Sequence, residues 1–161
     1  MYLGFQGLRV LAQRLPFPAA RWCGRTLGRL AYAVLGGYRR VTKTQLCEAF
    51  GPALPPAKRN RIARRVFANL GQNAIEWLRL PTLSRGELQQ LVVSEGIDHL
   101  RQALSKGNGA IVVSAHFGNW ELAAPYLVSL GFQAGVLARR LRYPEYESFL
   151  IKMRGDKGVP T

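Results

Sequence analysis

Apolar residues in the first fifteen positions avoid one narrow wedge of a helical wheel. Gln6, Arg9 and Gln13 hold that wedge, and Leu3, Phe5, Leu8, Val10, Leu11, Ala12 and Leu15 fill the wide remainder, interrupted by Arg14. The pattern predicts an amphipathic helix from Met1 to Leu15, ended by Pro16 and Pro18. Pro18 suits the opening of a second helix, Ala19 to Gly36. There Arg21, Arg25 and Arg29 recur every fourth residue and make one basic ridge, while Trp22, Leu30, Ala33 and Val34 lie toward other faces. A short basic helix follows through Phe50, then the break Gly51-Pro52-Ala53-Leu54-Pro55-Pro56. From Lys58 to Leu80 the period is again helical, with Ile62, Val66, Leu70 (or Phe67), Ala74 and Trp77 spaced by three and four. Glu76 reads there as a surface ion-pair partner of Arg79 or Asn73. Pro81 stops that helix, and Ser84 with Glu87 forms a capping box for the next, Ser84 to Leu91.

Beyond residue 91 the period shortens. Val92-Val93-Ser94 suits a brief strand, and Ile97 to Leu104 a short helix whose His99 is assigned no role. Lys106-Gly107-Asn108-Gly109 signals a tight turn into the β-branched run Ala110-Ile111-Val112-Val113, which predicts a strand buried on both faces. Asn119 is a candidate N-cap for a helix from Trp120 to Leu130, with Gly131 as its stop. Phe132 to Ala138 predicts a second, parallel strand reached by a right-handed crossover. Pro144 opens a helix from Glu145 to Arg154, and Asp156 to Thr161 reads as a turn toward a third strand. The fold class expected is α/β: N-terminal helices, then the first part of a mixed or parallel sheet with crossover helices. Two strands do not complete a sheet, so the expected fold is incomplete. The division expected is residues 1–36 as membrane-associating amphipathic helices and 37–161 as the main domain.

Charge sharpens this picture. The 161 residues carry 23 Lys and Arg against 9 Asp and Glu, a formal net charge of +14. The excess is uneven. Residues 1–80 hold fourteen cations against Glu48 and Glu76, whereas 81–161 hold nine against seven acids. A basic N-terminal half implies an anionic partner: a phospholipid surface, nucleic acid or an acidic carrier protein. No uncharged apolar run there approaches the roughly 20 residues needed to span a bilayer, and no cleavage site follows a clean apolar core. The two N-terminal helices therefore suit either the headgroup plane of a membrane or a hairpin packed on the domain. Gly24-x-x-x-Gly28, beside three arginines, reads as incidental. Cys23 and Cys47 have no metal-ligand spacing and read as reduced thiols. Aromatic residues are not interleaved with the basic ones as a stacking platform would need, so no nucleic-acid partner is expected.

The candidate chemistry lies at His116 and Glu121. On a regular helix, side chains five apart point about 140° away from each other and could not meet. With His116 ending a strand and Glu121 in a first helical turn, the Phe117-Gly118-Asn119 bend can return the carboxylate to the imidazole, and Gly118 supplies the backbone freedom. A carboxylate on one imidazole nitrogen raises the basicity of the other, which becomes a general base toward a hydroxyl. Ser114 lacks a nucleophile-elbow setting, and a zinc site would need a third ligand that His99 alone could supply.

His116-Phe117-Gly118-Asn119-Trp120-Glu121 resembles the His-x4-Asp/Glu signature of glycerolipid acyltransferases. More narrowly, it resembles the bacterial lipid A biosynthesis (lauroyl/myristoyl) acyltransferase family. Gly96-Ile97-Asp98-His99-Leu100 and Gly107-Asn108-Gly109-Ala110 are similar to that family's approach to its catalytic strand. Arg139-Arg140, Tyr143-Pro144, Arg154 and Gly158 resemble its downstream segment, with Tyr143 standing where the family usually has Asn. The resemblance covers residues 40 to 161.

It implies an acyltransferase fold that this chain only begins. It also implies transfer of a fatty acyl chain from acyl carrier protein or acyl-CoA to a hydroxyl of a lipid A precursor or lysolipid, as in lipopolysaccharide biosynthesis. His116 and Glu121 would be the catalytic dyad. Gly118 and Asn119 would shape the turn, and Arg139, Arg140, Arg142 and Arg154 would recognise phosphate. No cofactor or metal is implied. The location implied is the cytoplasmic face of the bacterial inner membrane, peripheral or monotopic, on anionic phospholipid. The alternative from another class is a non-catalytic basic protein that binds membrane or nucleic acid.

Overall fold

The computed structural model describes residues 2–161, without the side chains of Tyr2, Leu3 and Phe5. Helices α1 (Tyr2–Arg14), α2 (Phe17–Val34), α3 (Gly36–Phe50) and α4 (Pro56–Arg79) come first. Then follow α5 (Arg85–Leu91), α6 (Ile97–Leu104), α7 (Ala123–Ser129) and α8 (Pro144–Gly155). The chain divides into two compact units, Met1–Arg79 and Leu80–Thr161.

In the first unit the dominant packing is α2 along α4. Ala20, Gly24, Gly28 and Tyr32 form the buried stripe of α2, one residue every fourth position. A Cβ on Gly24 would sit 2.6 Å from the Gly71 carbonyl oxygen, and one on Gly28 would strike the Phe67 carbonyl. Gly71 meets the Gly24 carbonyl from the other side. The glycines that read as incidental in the sequence are therefore what lets two backbones touch. Tyr32, Ala63 and Phe67 form a core cluster beside this crossing, with Tyr32 and Phe67 edge to face at 5.4 Å.

Gly28→Ala is expected to cost about 1–3 kcal/mol, because backbone must give way to the new methyl. Gly86→Ala on α5, where a Cβ meets nothing within 4 Å, should instead stabilise by a few tenths to about 1 kcal/mol. Urea denaturation of the two variants checks the contrast, and equal effects would refute the close crossing.

Glu76 departs from its expected surface role. It is buried on α4, where Arg21 Nε approaches Oε1 at 2.9 Å and Gln72 Nε2 donates to the same oxygen at 2.7 Å. One cation of the basic ridge thus neutralises the unit's buried acid, and Arg25 and Arg29 stay exposed.

Helix α1 meets α4 through its polar wedge. Gln13 donates to the Leu78 carbonyl at 2.9 Å, and Arg79 donates to the Ala12 and Leu15 carbonyls. Ala12 is buried, whereas Val10 and Leu11 face out. Of the apolar arc read from the sequence, Leu3 and Phe5 lie outside the described side chains. On α2 the face away from α4 is apolar too, with Trp22 64% and Leu30 57% exposed. No helix among the described residues is long and apolar enough to cross a membrane.

The second unit is built from short helices. Ser84 and Glu87 form the expected capping box on α5. That helix packs on α7, where Gln89 donates to the Ser129 carbonyl at 2.9 Å. Just beyond it, Ser94 and Tyr126 share a hydroxyl bond of 2.7 Å. Leu80, Leu83, Leu88, Leu122, Tyr126, Met153 and Val159 are among its buried apolar residues. Lys157 donates to the Leu83 carbonyl, and burial lowers its pKa against the opposing pull of Asp156 and Glu87.

The expected sheet is absent among the described residues. Residues 92–94, 110–113 and 132–138 are irregular, and Ile111 and Val113 are 92% and 91% exposed. A strand exists only through a ladder to a neighbour. Within 132–138, Val136 N–H reaches the Pro160 carbonyl at 2.9 Å, and no ladder extends from that single bond.

The expected helix from Trp120 to Leu130 is also divided. A 3₁₀ turn spans Trp120–Leu122, and α7 begins at Ala123. Pro125 has no N–H to give an α-helix begun at Trp120, and it is tolerated in the first turn of one begun at Ala123. The Asn119 side chain does not cap this segment. Gly131 takes φ +93° just past α7, as a helix stop requires.

Candidate active site

The residues around His116 form a bend rather than a strand end. Phe117 N–H donates to the Ala115 carbonyl at 2.8 Å, which closes a three-residue turn centred on His116. No non-glycine residue described has positive φ, so this is the inverse γ-turn. Gly118 follows at φ +59°, a left-handed conformation that a Cβ would disfavour. The chain then turns into Trp120–Leu122, anchored by buried Leu122.

The imidazole of His116 is exposed and lies against the Trp120 ring, centroids 4.9 Å apart at 57°. Among the described residues its side chain makes no hydrogen bond. Glu121 is turned the other way. Arg154 Nη2 donates to Oε1 at 2.8 Å and Arg154 Nε to Oε2 at 3.0 Å, a bidentate pair whose side chains are 8% (Arg) and 17% (Glu) exposed. Such fork-to-fork pairs fix orientation as well as charge. Arg154 Nη1 is buried and has no hydrogen-bond partner among the described residues.

The local sequence explains where Arg154 sits. Pro144 starts α8, Glu145 and Glu147 occupy its first turn, and Lys152 and Arg154 its last, so both ends suit the helix macrodipole. Arg139, Arg140 and Arg142 lie exposed on the segment before α8, with Arg142 over the Tyr143 ring at 5.8 Å. Asn119 is half-buried beside Trp120.

The structure thus unites Glu121 with Arg154 and leaves His116 on Trp120. The Glu121–Arg154 pairing was not read from the sequence, because 33 positions separate the two and no spacing links them. Trp120 could have been suspected from its place inside the His116–Glu121 interval. No group of three His, Cys, Asp or Glu side chains able to hold a metal is gathered among the described residues.

Over residues 1–160 the chain matches the bacterial lipid A biosynthesis acyltransferases, and it belongs to that family. The match takes in the first 40 residues, which the sequence motifs alone had left outside. A phosphatidylinositol mannoside acyltransferase of Mycolicibacterium smegmatis is 31% identical over 128 residues, 79% of this chain and 41% of that protein. One of the same name from Mycobacterium tuberculosis is 38% identical over 79 residues, 47% of this chain and 25% of that protein. The matched segments therefore cover less than half the length of these relatives. No solved structure matches it.

Proposed function

We propose that the protein is an O-acyltransferase, moving a fatty acyl chain from a thioester to a hydroxyl of a membrane lipid with His116 as general base. The observation that carries this reading is the His116-x4-Glu121 motif within a chain that matches the family along its length. The imidazole takes the proton of the acceptor hydroxyl as its oxygen attacks the thioester carbonyl carbon. The tetrahedral intermediate collapses, the carbon–sulfur bond breaks, and the departing sulfur takes the proton from the imidazolium.

In that act the Glu121 carboxylate faces the imidazolium and stabilises it, which requires the bend at Gly118 to bring His116 over from Trp120. Arg154 holds the carboxylate in place meanwhile. Arg139, Arg140 and Arg142 are exposed and suited to phosphate on the acceptor or on the phosphopantetheine arm of the donor. The donor is acyl carrier protein or acyl-CoA. The acceptor is a hydroxylated lipid such as a lipid A precursor, a lysolipid or, following the named relatives, a mannosylated phosphatidylinositol. The exposed β-branched residues 111–113 support strand formation in a longer chain that offers them a neighbour.

The membrane contact is assigned to the outward apolar faces of α1 and α2, flanked by Arg25 and Arg29, lying peripherally on anionic phospholipid at the cytoplasmic face of the inner membrane. The polar wedge of α1 is spent on α4, which leaves Leu8, Val10 and Leu11 for lipid.

The test is ester formation followed by mass spectrometry, with palmitoyl-CoA and palmitoyl carrier protein as donors and the three lipid classes as acceptors. Transfer is expected to persist in EDTA. Loss on chelation with recovery on adding zinc would overturn the His116 mechanism, and no ester from any pairing would overturn the acyltransferase reading.

A further inference from the structure

An open, solvent-facing cavity of about 550 Å³ lies within the first unit, between α3 and the start of α4. Its walls include Arg39, Arg40, Lys43, Thr44 and Cys47 of α3 and Arg59 of α4. Positions 39, 40, 43 and 47 share one face of a helix, so three cations of α3 converge on a fourth from α4. Glu48 is the one acidic residue of the lining. None of the four cations makes an ion pair with a carboxylate among the described residues.

Two of the cations are already fixed. Arg39 Nη1 donates to the Tyr32 and Ala33 carbonyls at 3.0 and 3.2 Å, and its guanidinium lies 5.5 Å from the Tyr32 ring centroid. Arg59 Nη2 donates to the Leu54 carbonyl at 3.2 Å. Its Nε is buried and has no acceptor among the described residues, an unmet demand that native proteins normally answer. Arg40 and Lys43 make no side-chain hydrogen bond among the described residues and can close on a guest. Concentrating four positive charges around one hollow is costly without an anion to receive them.

We infer that this cavity binds a phosphate group. Guanidinium forks match phosphate oxygens in pairs, and a phosphate offers more acceptors and charge than a single carboxylate. The chemistry is the same for a phospholipid headgroup presented by a bilayer and for a soluble phosphorylated compound. The site shares no residue with the His116 region and does not depend on the acyltransferase reading.

Inorganic pyrophosphate titrated calorimetrically at low salt tests the soluble source. Co-sedimentation with phosphatidylglycerol against phosphatidylcholine vesicles tests the lipid source. R40Q/K43Q removes two cavity charges, and R61Q/R65Q removes two exposed charges of α4 outside the cavity. Arg39 is kept because it also ties down the end of α2. Circular dichroism confirms that both variants fold.

R40Q/K43Q is expected to weaken anion binding about tenfold or more, and R61Q/R65Q by less than about twofold. The arm showing the larger loss identifies the source. Cys47 supplies a second readout in the unmodified protein. Its alkylation by iodoacetamide should slow when pyrophosphate is bound, while that of Cys23 should not change. Equal losses for the two double variants in both arms would reduce the effect to diffuse net charge and overturn the site. So would a Cys47 that reacts at the same rate with and without pyrophosphate.

Discussion

His116→Ala is expected to lower the rate of acyl transfer by roughly 10²–10⁴, the usual loss when a general base is removed, with lipid binding little changed. The imidazole is exposed and lies on the Trp120 ring, so its removal should cost little stability. Glu121→Gln keeps the size and one acceptor oxygen but withdraws the charge that steadies the imidazolium. It should slow turnover less than the histidine change does. The double variant should be no slower than His116→Ala alone, because a carboxylate that acts through the imidazole has nothing to act on once it is gone.

Initial rates from the full cycle decide the matter, measured below the melting temperature of the least stable variant. That precaution matters because Glu121 also holds Arg154. If the two losses multiplied, the carboxylate would have a separate task in the reaction. If neither change slowed transfer, His116 would have no part in the chemistry.

Arg154→Met is expected to produce the largest loss of stability in the second unit, about 3–5 kcal/mol. The methionine fills similar space but leaves the Glu121 carboxylate, only 17% exposed, without its two charged donors. An unpaired carboxylate in that position meets the full penalty of lost solvation. Replacing both partners, as Glu121→Gln with Arg154→Met, should recover a substantial part of the loss, since no charge is then stranded. Urea unfolding of the two variants supplies the comparison. A loss below about 1 kcal/mol for Arg154→Met would mean that water screens the pair as it does surface bridges. The recovery in the double variant separates a stranded charge from mere loss of packing.

These two experiments divide the labour of one short stretch. His116 carries the proposed chemistry and little of the fold. Glu121 is tied into the fold through α8 and reaches the chemistry only if the bend at Gly118 brings His116 back. The stability loss follows from the geometry alone and stands whether or not the acyl-transfer reading does.

The sequence by itself determined most of the helices, though not the strands it led one to expect. The prolines at 16, 18, 56, 81 and 144, the Ser84–Glu87 box and the three- and four-residue spacing of apolar side chains place the helix ends to within a few residues. These signals act over one or two turns of backbone, so nothing distant has to be known to read them. The HFGNWE motif was equally legible, since six adjacent residues carry it.

Tertiary structure decided everything that depends on a partner far along the chain. Gly24 and Gly28 are permissive residues in the sequence and become a close helix crossing only because Gly71 arrives opposite them. Glu76 reads as a surface acid until α2 delivers Arg21. Glu121 could be matched to His116 by spacing, and it is α8, 33 residues on, that takes its carboxylate. The apolar runs 110–113 and 132–138 have the composition of buried strands. Composition sets only a capacity to pair, and pairing needs a continuous ladder to a neighbouring backbone; among the described residues these runs gain only the single Val136–Pro160 bond toward one.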